Sequence, residues 1–265
     1  MVTVTGKVLR ILPFKEVNVA DEAKKVVDLI IADERDYMRV SFWDAKAERV
    51  LNGDVKVGDV LKIENARVPK SLEGRGKRAN VGTYARITKQ AKDIAALTRA
   101  QSVNLMVLAV ARPEQGRVCI AGIDEKGDWI RPQGIYEDDI FDYNSREQFK
   151  NLSITKLYLD TWHGRRSRKE DRFFVYSEGA TGELSEGEKR EFLERNVDSS
   201  VDEVFKQGRS LGLIKPRILH VYEERTGTKG KRHEHYIFFN LKDATGRIYR
   251  RWSCRCNDFY KAWND

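Results

Sequence analysis

A chain of 265 residues, 40% hydrophobic and 10% aromatic, is long enough for two or three small folded domains. It has no apolar run near the roughly 20 residues that a bilayer-spanning helix needs, its opening MVTVTGKVLRIL lacks the pattern of a secretory signal, and three cysteines make no disulfide framework, so a cytoplasmic location with no membrane partner is expected. The formal charge of +8 favours polyanionic partners, and the excess lies early: residues 1–100 carry 20 basic against 14 acidic side chains, the remainder 29 against 27.

In chain order, VTGKVLRILPF, KKVVDLIIADE, YMRVSFWD, DVLKIENARVPKS and RANVGTYARITK alternate or are rich in β-branched residues, as strands are. Between the third and fourth, AKAERVLNG spaces Ala47, Val50 and Leu51 for a helix, with Asp44 placed to cap its start and Gly53 to end it. Five strands with one helix after the third is the element order of an OB barrel, expected over residues 1–90. Alternation in the third strand puts Met38, Val40 and Phe42 on a core face and Tyr37, Arg39, Ser41 and Trp43 on the other. That second face interleaves rings with a guanidinium, the combination that accepts unpaired bases and tracks phosphates. The plainer alternative packs Trp43 under the helix or against a neighbouring domain. The loop KSLEGRGKRAN places Lys70, Arg75, Lys77 and Arg78 around two glycines, which suits a clamp over a strand and equally a solvated hairpin tip.

The run VTGKV, DLIIADERDYMRVSFWDAKAE, GDVLKIENARV and VGTYARI resembles the OB domains of archaeal single-stranded DNA-binding proteins and replication protein A. The resemblance implies a single-stranded nucleic-acid-binding domain in which the aromatic ending the third strand, here Trp43, stacks on a base. A second stacking aromatic often comes from the loop between the last two strands. That loop holds none here, which leaves Tyr84, in the strand after it, as the candidate.

AKDIAALTRA, without glycine or proline, reads as a helical linker over 91–101. Beyond it, SVNLMVLAVARPEQGRVCIAGIDEKGDWIRPQG gives three strands ending at Arg131-Pro132; ITKLYLDTW is a strand; SEGEKREFLERN and SSVDEVFKQGRSLG are helical; KPRILHVYEERT and EHYIFFNLKD are strands; and GRIYRRWSCRCNDFYKAW closes the chain, with Trp252 expected in the core. Through LAVAR, GRVCIAGID, GDWIRP and SLGLIKPRI, residues 102–265 are similar to the dual-OB domain family. The expected fold is therefore mainly β, tandem OB barrels with one N-terminal barrel, a dual-OB unit and a few helices. Two loops in this part are basic: WHGRRSRKEDR, with Arg165, Arg166 and Arg168, and RTGTKGKRHEH. Both fit phosphate contact, and both fit ordinary solvated loops.

His233-x-His235 and Cys254-x-Cys256 are short chelating pairs without the usual knuckle spacing, so no metal site is expected, and Cys119 reads as a small buried hydrophobe. No Walker loop or Rossmann fingerprint is present, and no cofactor is expected. GIYEDDIFD clusters Glu137, Asp138, Asp139 and Asp142, acids that a metal-dependent nuclease could use. The sequence thus supports a binder of single-stranded DNA or RNA first, with a nuclease or nucleotide-acting enzyme and a protein-binding adaptor, its partner held by the C-terminal part, as alternatives.

Overall fold

A computed structural model describes the chain except for residue 20 and residues 69–77, 97–99, 112–116, 142–146, 162–167, 227–233 and 265. The first unit contains β1 (Val2–Ile11), β2 (Lys15–Val19), β3 (Glu22–Ala32), β4 (Tyr37–Trp43), α1 (Ala45–Leu51), β5 (Val60–Ala66), β6 (Arg78–Val81) and β7 (Arg86–Gln90). Its sheet runs β6-β4-β3-β1-β5-β7, with β2 on β3. Arg67, just past β5, exchanges backbone hydrogen bonds of 2.9 and 2.8 Å with Asn80 in β6. This contact closes the sheet around Val27, Leu29, Ile31, Val40, Phe42, Leu61 and Ile63. Among the described residues of this unit, the parallel strand pair is β4 with β6.

The second unit repeats this connectivity. β8 (Gln101–Val110), β9 (Ile120–Asp124), β10 (Trp129–Gln133), β11 (Ser153–Thr161) and β12 (Asp171–Glu183) close into the barrel β10-β12-β11-β8-β9. Again the third and fifth strands, β10 and β12, form the parallel pair. Both barrels follow the OB order, although no sequence repeat joins them. Where the first barrel places α1 between its third and fourth strands, the second has only a single 3-10 turn, Glu137–Asp139, among the described residues.

The third unit consists of α2 (Glu186–Asn196), α3 (Val201–Lys206), the sheet β13-β14-β15 (Arg217–Thr226, Glu234–Lys242, Ile248–Ser253) and α4 (Asn257–Asn264). The last barrel of the expected dual-OB unit is thus an antiparallel three-stranded meander, covered by α4 through Ile237, Phe239, Phe259 and Tyr260. Among the described residues, no helix is long and apolar enough to cross a membrane.

Several local expectations are corrected. Residues 91–96 are not helical: ten residues are too few to hold a helix without packing, and the Asp93 carboxylate instead accepts the Ile94 N–H at 2.9 Å and pairs with Lys7 at 2.9 Å. Asp44 sits at the N-cap of α1 but its side chain makes no capping bond; it accepts the Lys25 N–H at 3.3 Å, tying the helix start to β3. Gly53 does end the helix, with φ of 83°. Cys119 points outward because its neighbours Val118 and Ile120 take the core positions of the alternation. Trp252 is 41% exposed, its ring edge against Tyr249.

Candidate nucleic-acid interface

The outer face of the first barrel follows from strand alternation. With Val27, Leu29 and Ile31 inside, β3 turns Val26, Asp28, Ile30 and Ala32 outward, and the register sets them against Trp43, Ser41, Arg39 and Tyr37 of β4. β1 adds Arg10 beside Ile30, and β6 adds Arg78 beside Arg39 and Asn80 beside Ser41. Three guanidiniums from separate strands thereby share one face with an indole. The Trp43 indole N–H donates to Asn80 Oδ1 at 3.3 Å, holding the half-buried ring across β4 and β6.

One end of this face is covered by the second barrel. Arg39 Nη2 lies 2.7 Å from Asp139 Oδ1, and Arg10 Nη2 donates to the Phe141 carbonyl at 2.9 Å. The Tyr37 ring stacks on Phe173 with centroids 5.6 Å apart, and the Arg39 and Arg78 guanidiniums lie 5.8 and 5.5 Å from the Tyr136 ring centre. Tyr136, Asp139 and Phe141 thus present a π-face, an anionic oxygen and a carbonyl to three arginines. Of the expected platform, Tyr37 and Arg39 meet the second barrel and Arg78 borders it at Tyr136, while Trp43 stands at the other end.

Arg78 differs from its neighbours. Its guanidinium lies on the Tyr136 ring, with no direct ion pair among the described residues. Burial, and then the adjacent Arg39, draw its pKa below the usual arginine range against the opposing pull of Asp28, Tyr136 and Asp139. Asp28 and Asp139 act on this guanidinium without touching it, so its hydrogen-bonding edge has no carboxylate in direct contact among the described residues.

Asp28 supplies the charge beneath this face. Burial works to raise its pKa, but Lys15, 3.1 Å away, together with Arg39 and the Ser41 hydroxyl, outweighs burial and holds the carboxyl below its usual range. A carboxyl depressed in the folded state contributes stability that is fully present above its unfolded pKa and is lost as pH falls through the folded value. Acid titration of stability is therefore expected to show a loss beginning below about pH 4, and Asp28→Asn should flatten that loss; an unchanged acid limb in the variant would remove Asp28 from this role.

The remaining expected residues are dispersed. Tyr84 is 89% exposed in the turn between β6 and β7. Lys70, Arg75, Lys77, Arg165 and Arg166 lie outside the described residues, as do His233, Asp142 and the lysines of the 227–233 connection. Arg168 is exposed, and its backbone N–H donates to Asp171 at 2.9 Å. Asp139, a nuclease candidate, has both oxygens engaged, one by Arg39 and the other by the Tyr136 N–H at 2.9 Å. No group of three or more His, Cys, Asp or Glu suited to a metal occurs among the described residues. Sequence reasoning missed Arg10, Tyr136 and Phe173, although VVDLIIA carried a signal: a strand apolar on both faces is one covered on both faces.

No protein-family profile matches the chain. Replication factor A of Methanothermobacter thermautotrophicus is 36% identical over 71 residues, which is 27% of this chain but only 8% of that protein. Among solved structures, a replication factor A related protein from Methanobacterium thermoautotrophicum is 22% identical, covering 34% of this chain and 79% of its own with a TM-score of 0.29. A replication protein A heterotrimer bound to single-stranded DNA is 10% identical, covering 94% of this chain and 77% of that chain with a TM-score of 0.36.

Proposed function

We propose that this chain binds single-stranded nucleic acid along the first barrel's outer face, from Arg78 at the border of the second barrel to Trp43. The observation that supports this most directly is Arg78, a cation without an acid partner among the described residues, set one strand from an aromatic ring on an OB barrel. A phosphate on Arg78 would relieve its repulsion with Arg39, and a base on Trp43 would gain stacking of about 1–3 kcal/mol. Asn80, already fixing the indole, stands between the two. The segment joining β5 to β6 brings Lys70, Arg75 and Lys77 in sequence next to Arg78. The similarity to an archaeal replication factor A supports the same reading.

Fluorescence anisotropy with labelled DNA and RNA, single and double stranded, tests it across ionic strength. Affinity for single strands is expected to fall with salt, and Arg78→Ala to reduce the magnitude of the log–log slope by about 0.7, the share of one phosphate on a single strand. The variant also gives up the contact with Tyr136, so its melting temperature is measured alongside to show that the barrel remains folded. Trp43→Ala should weaken binding without changing that slope. Binding that is indifferent to salt, or equal for duplex and single strand, would overturn the reading; cleavage of the labelled strands in magnesium would replace it with the nuclease alternative.

A further inference from the structure

The three-stranded sheet has two unlike faces. One packs Val221, Ile237 and Phe239 against Phe259 and Tyr260 of α4. On the other, His220, Tyr222 and Phe238 form a row of stacked rings, with centroids 5.4 Å apart at 21° and then 5.8 Å apart at 29°. The guanidinium of Arg251 lies 5.0 Å from the centre of Phe238, and that of Arg255 lies 5.0 Å from the centre of Tyr236. His220, Arg251, Ser253 and Arg255 are exposed, while Tyr222, Tyr236 and Phe238 are half-buried.

We infer that this open sheet face is a second platform for unpaired nucleobases, separate from the first barrel. Its chemistry is that of single-strand recognition: flat rings spaced along neighbouring strands to stack bases of any identity, with guanidiniums between them for the backbone. Charge supports a polyanion over an apolar protein partner. Residues 247–255 contain Arg247, Arg250, Arg251 and Arg255 and no acid. Two acids reach this cluster among the contacts of the described residues, Glu224 at 2.7 Å from Arg251 and Asp202 paired with Arg247, which leaves the arginines in excess along this segment.

The backbone adds an independent indication. Arg251 has φ of 55°, in the left-handed region that few side chains tolerate, where the β14–β15 register shifts between Phe239 and Leu241. Its N–H donates to Asn240 Oδ1 at 2.9 Å, which holds the irregularity in place. Bulges of this kind re-aim a side chain, and here the re-aimed group lies over an aromatic ring. Arginine is a costly choice at such a position, where glycine would sit without strain.

That cost provides a clean test on the full chain. Arg251→Gly removes the guanidinium while suiting the backbone, so its melting temperature should equal or exceed the parent's. Tyr222→Leu with Phe238→Leu removes the π-faces while keeping apolar bulk. In anisotropy titrations with labelled 30-nucleotide single-stranded DNA and RNA, each is expected to weaken binding by about tenfold, the loss of roughly one stacked base or its cation. The same loss should appear in an Arg78→Ala background. If Arg78→Ala alone changes nothing while the sheet variants do, the first-barrel reading fails and this one stands. If folded sheet variants bind like the parent, or the parent binds no single strand, the second platform is overturned.

Discussion

Asp139→Ala is expected to lower the stability of the chain by about 3–5 kcal/mol, the cost of leaving one member of a buried ion pair without its partner. The side chains of Asp139 and Arg39 are 1% and 11% exposed, so water cannot replace the lost carboxylate. Arg39 would then face Arg78 and the Tyr136 ring with its principal counter-charge gone. The variant also frees the Tyr136 N–H that the same carboxylate accepts. Urea denaturation followed by tryptophan fluorescence measures the loss, and a companion pair, Arg39→Met with Asp139→Leu, should recover part of it because neither member of the pair is left behind, while the Tyr136 N–H still lacks its acceptor and Asp28 loses Arg39, keeping Lys15 as its paired cation. A loss below about 1 kcal/mol would mean that the pair behaves as a solvated surface bridge and that the second barrel does not clasp the first.

Gly122→Ala is expected to cost about 3 kcal/mol or more, beyond the usual range for an added methyl in a packed interior. A Cβ at Gly122 would lie 2.1 Å from the Met106 carbonyl oxygen and 2.9 Å from its carbon. Both are backbone atoms of the adjacent strand, so no rotamer change can clear them. Gly122 pairs with Val107 on one side, beside the register shift of β8, and with Ile130 on the other. The wall of the second barrel is therefore drawn tight where only a hydrogen fits. Amide exchange should show lost protection in β8, β9 and β10 with the first barrel's core largely retained; an alanine variant that melts with the parent would contradict the close approach.

Much of the first barrel was readable because local rules dictate YMRVSFWD and AKAERVLNG, the second ending at a glycine; β2 was not foreseen, and RANVGTYARITK, expected as one strand, is β6 and β7 parted by a turn. β12 was not, because the polar, glycine-bearing end of DRFFVYSEGATGE hides a strand that only its partners β10 and β11 define. Trp252 was misplaced because facing alone does not decide burial: its register partner is Phe239, which α4 covers, but Trp252 stands on the edge strand β15 and is left exposed. For the site, Trp43 and Arg78 follow from facing and charge. The engagement of Tyr37 and Arg39 by Phe173 and Asp139 joins residues about a hundred positions or more apart, which no local pattern specifies.

The carboxylate and guanidinium at the junction of the barrels are shut away from mobile ions, whereas Trp43, Tyr84 and the open arginines of the terminal sheet are not. Ionic strength sufficient to strip a polyanion from those outward groups therefore leaves the seam fastened. Release of a bound strand and separation of the two halves are distinct events, and a rising electrolyte concentration drives only the first.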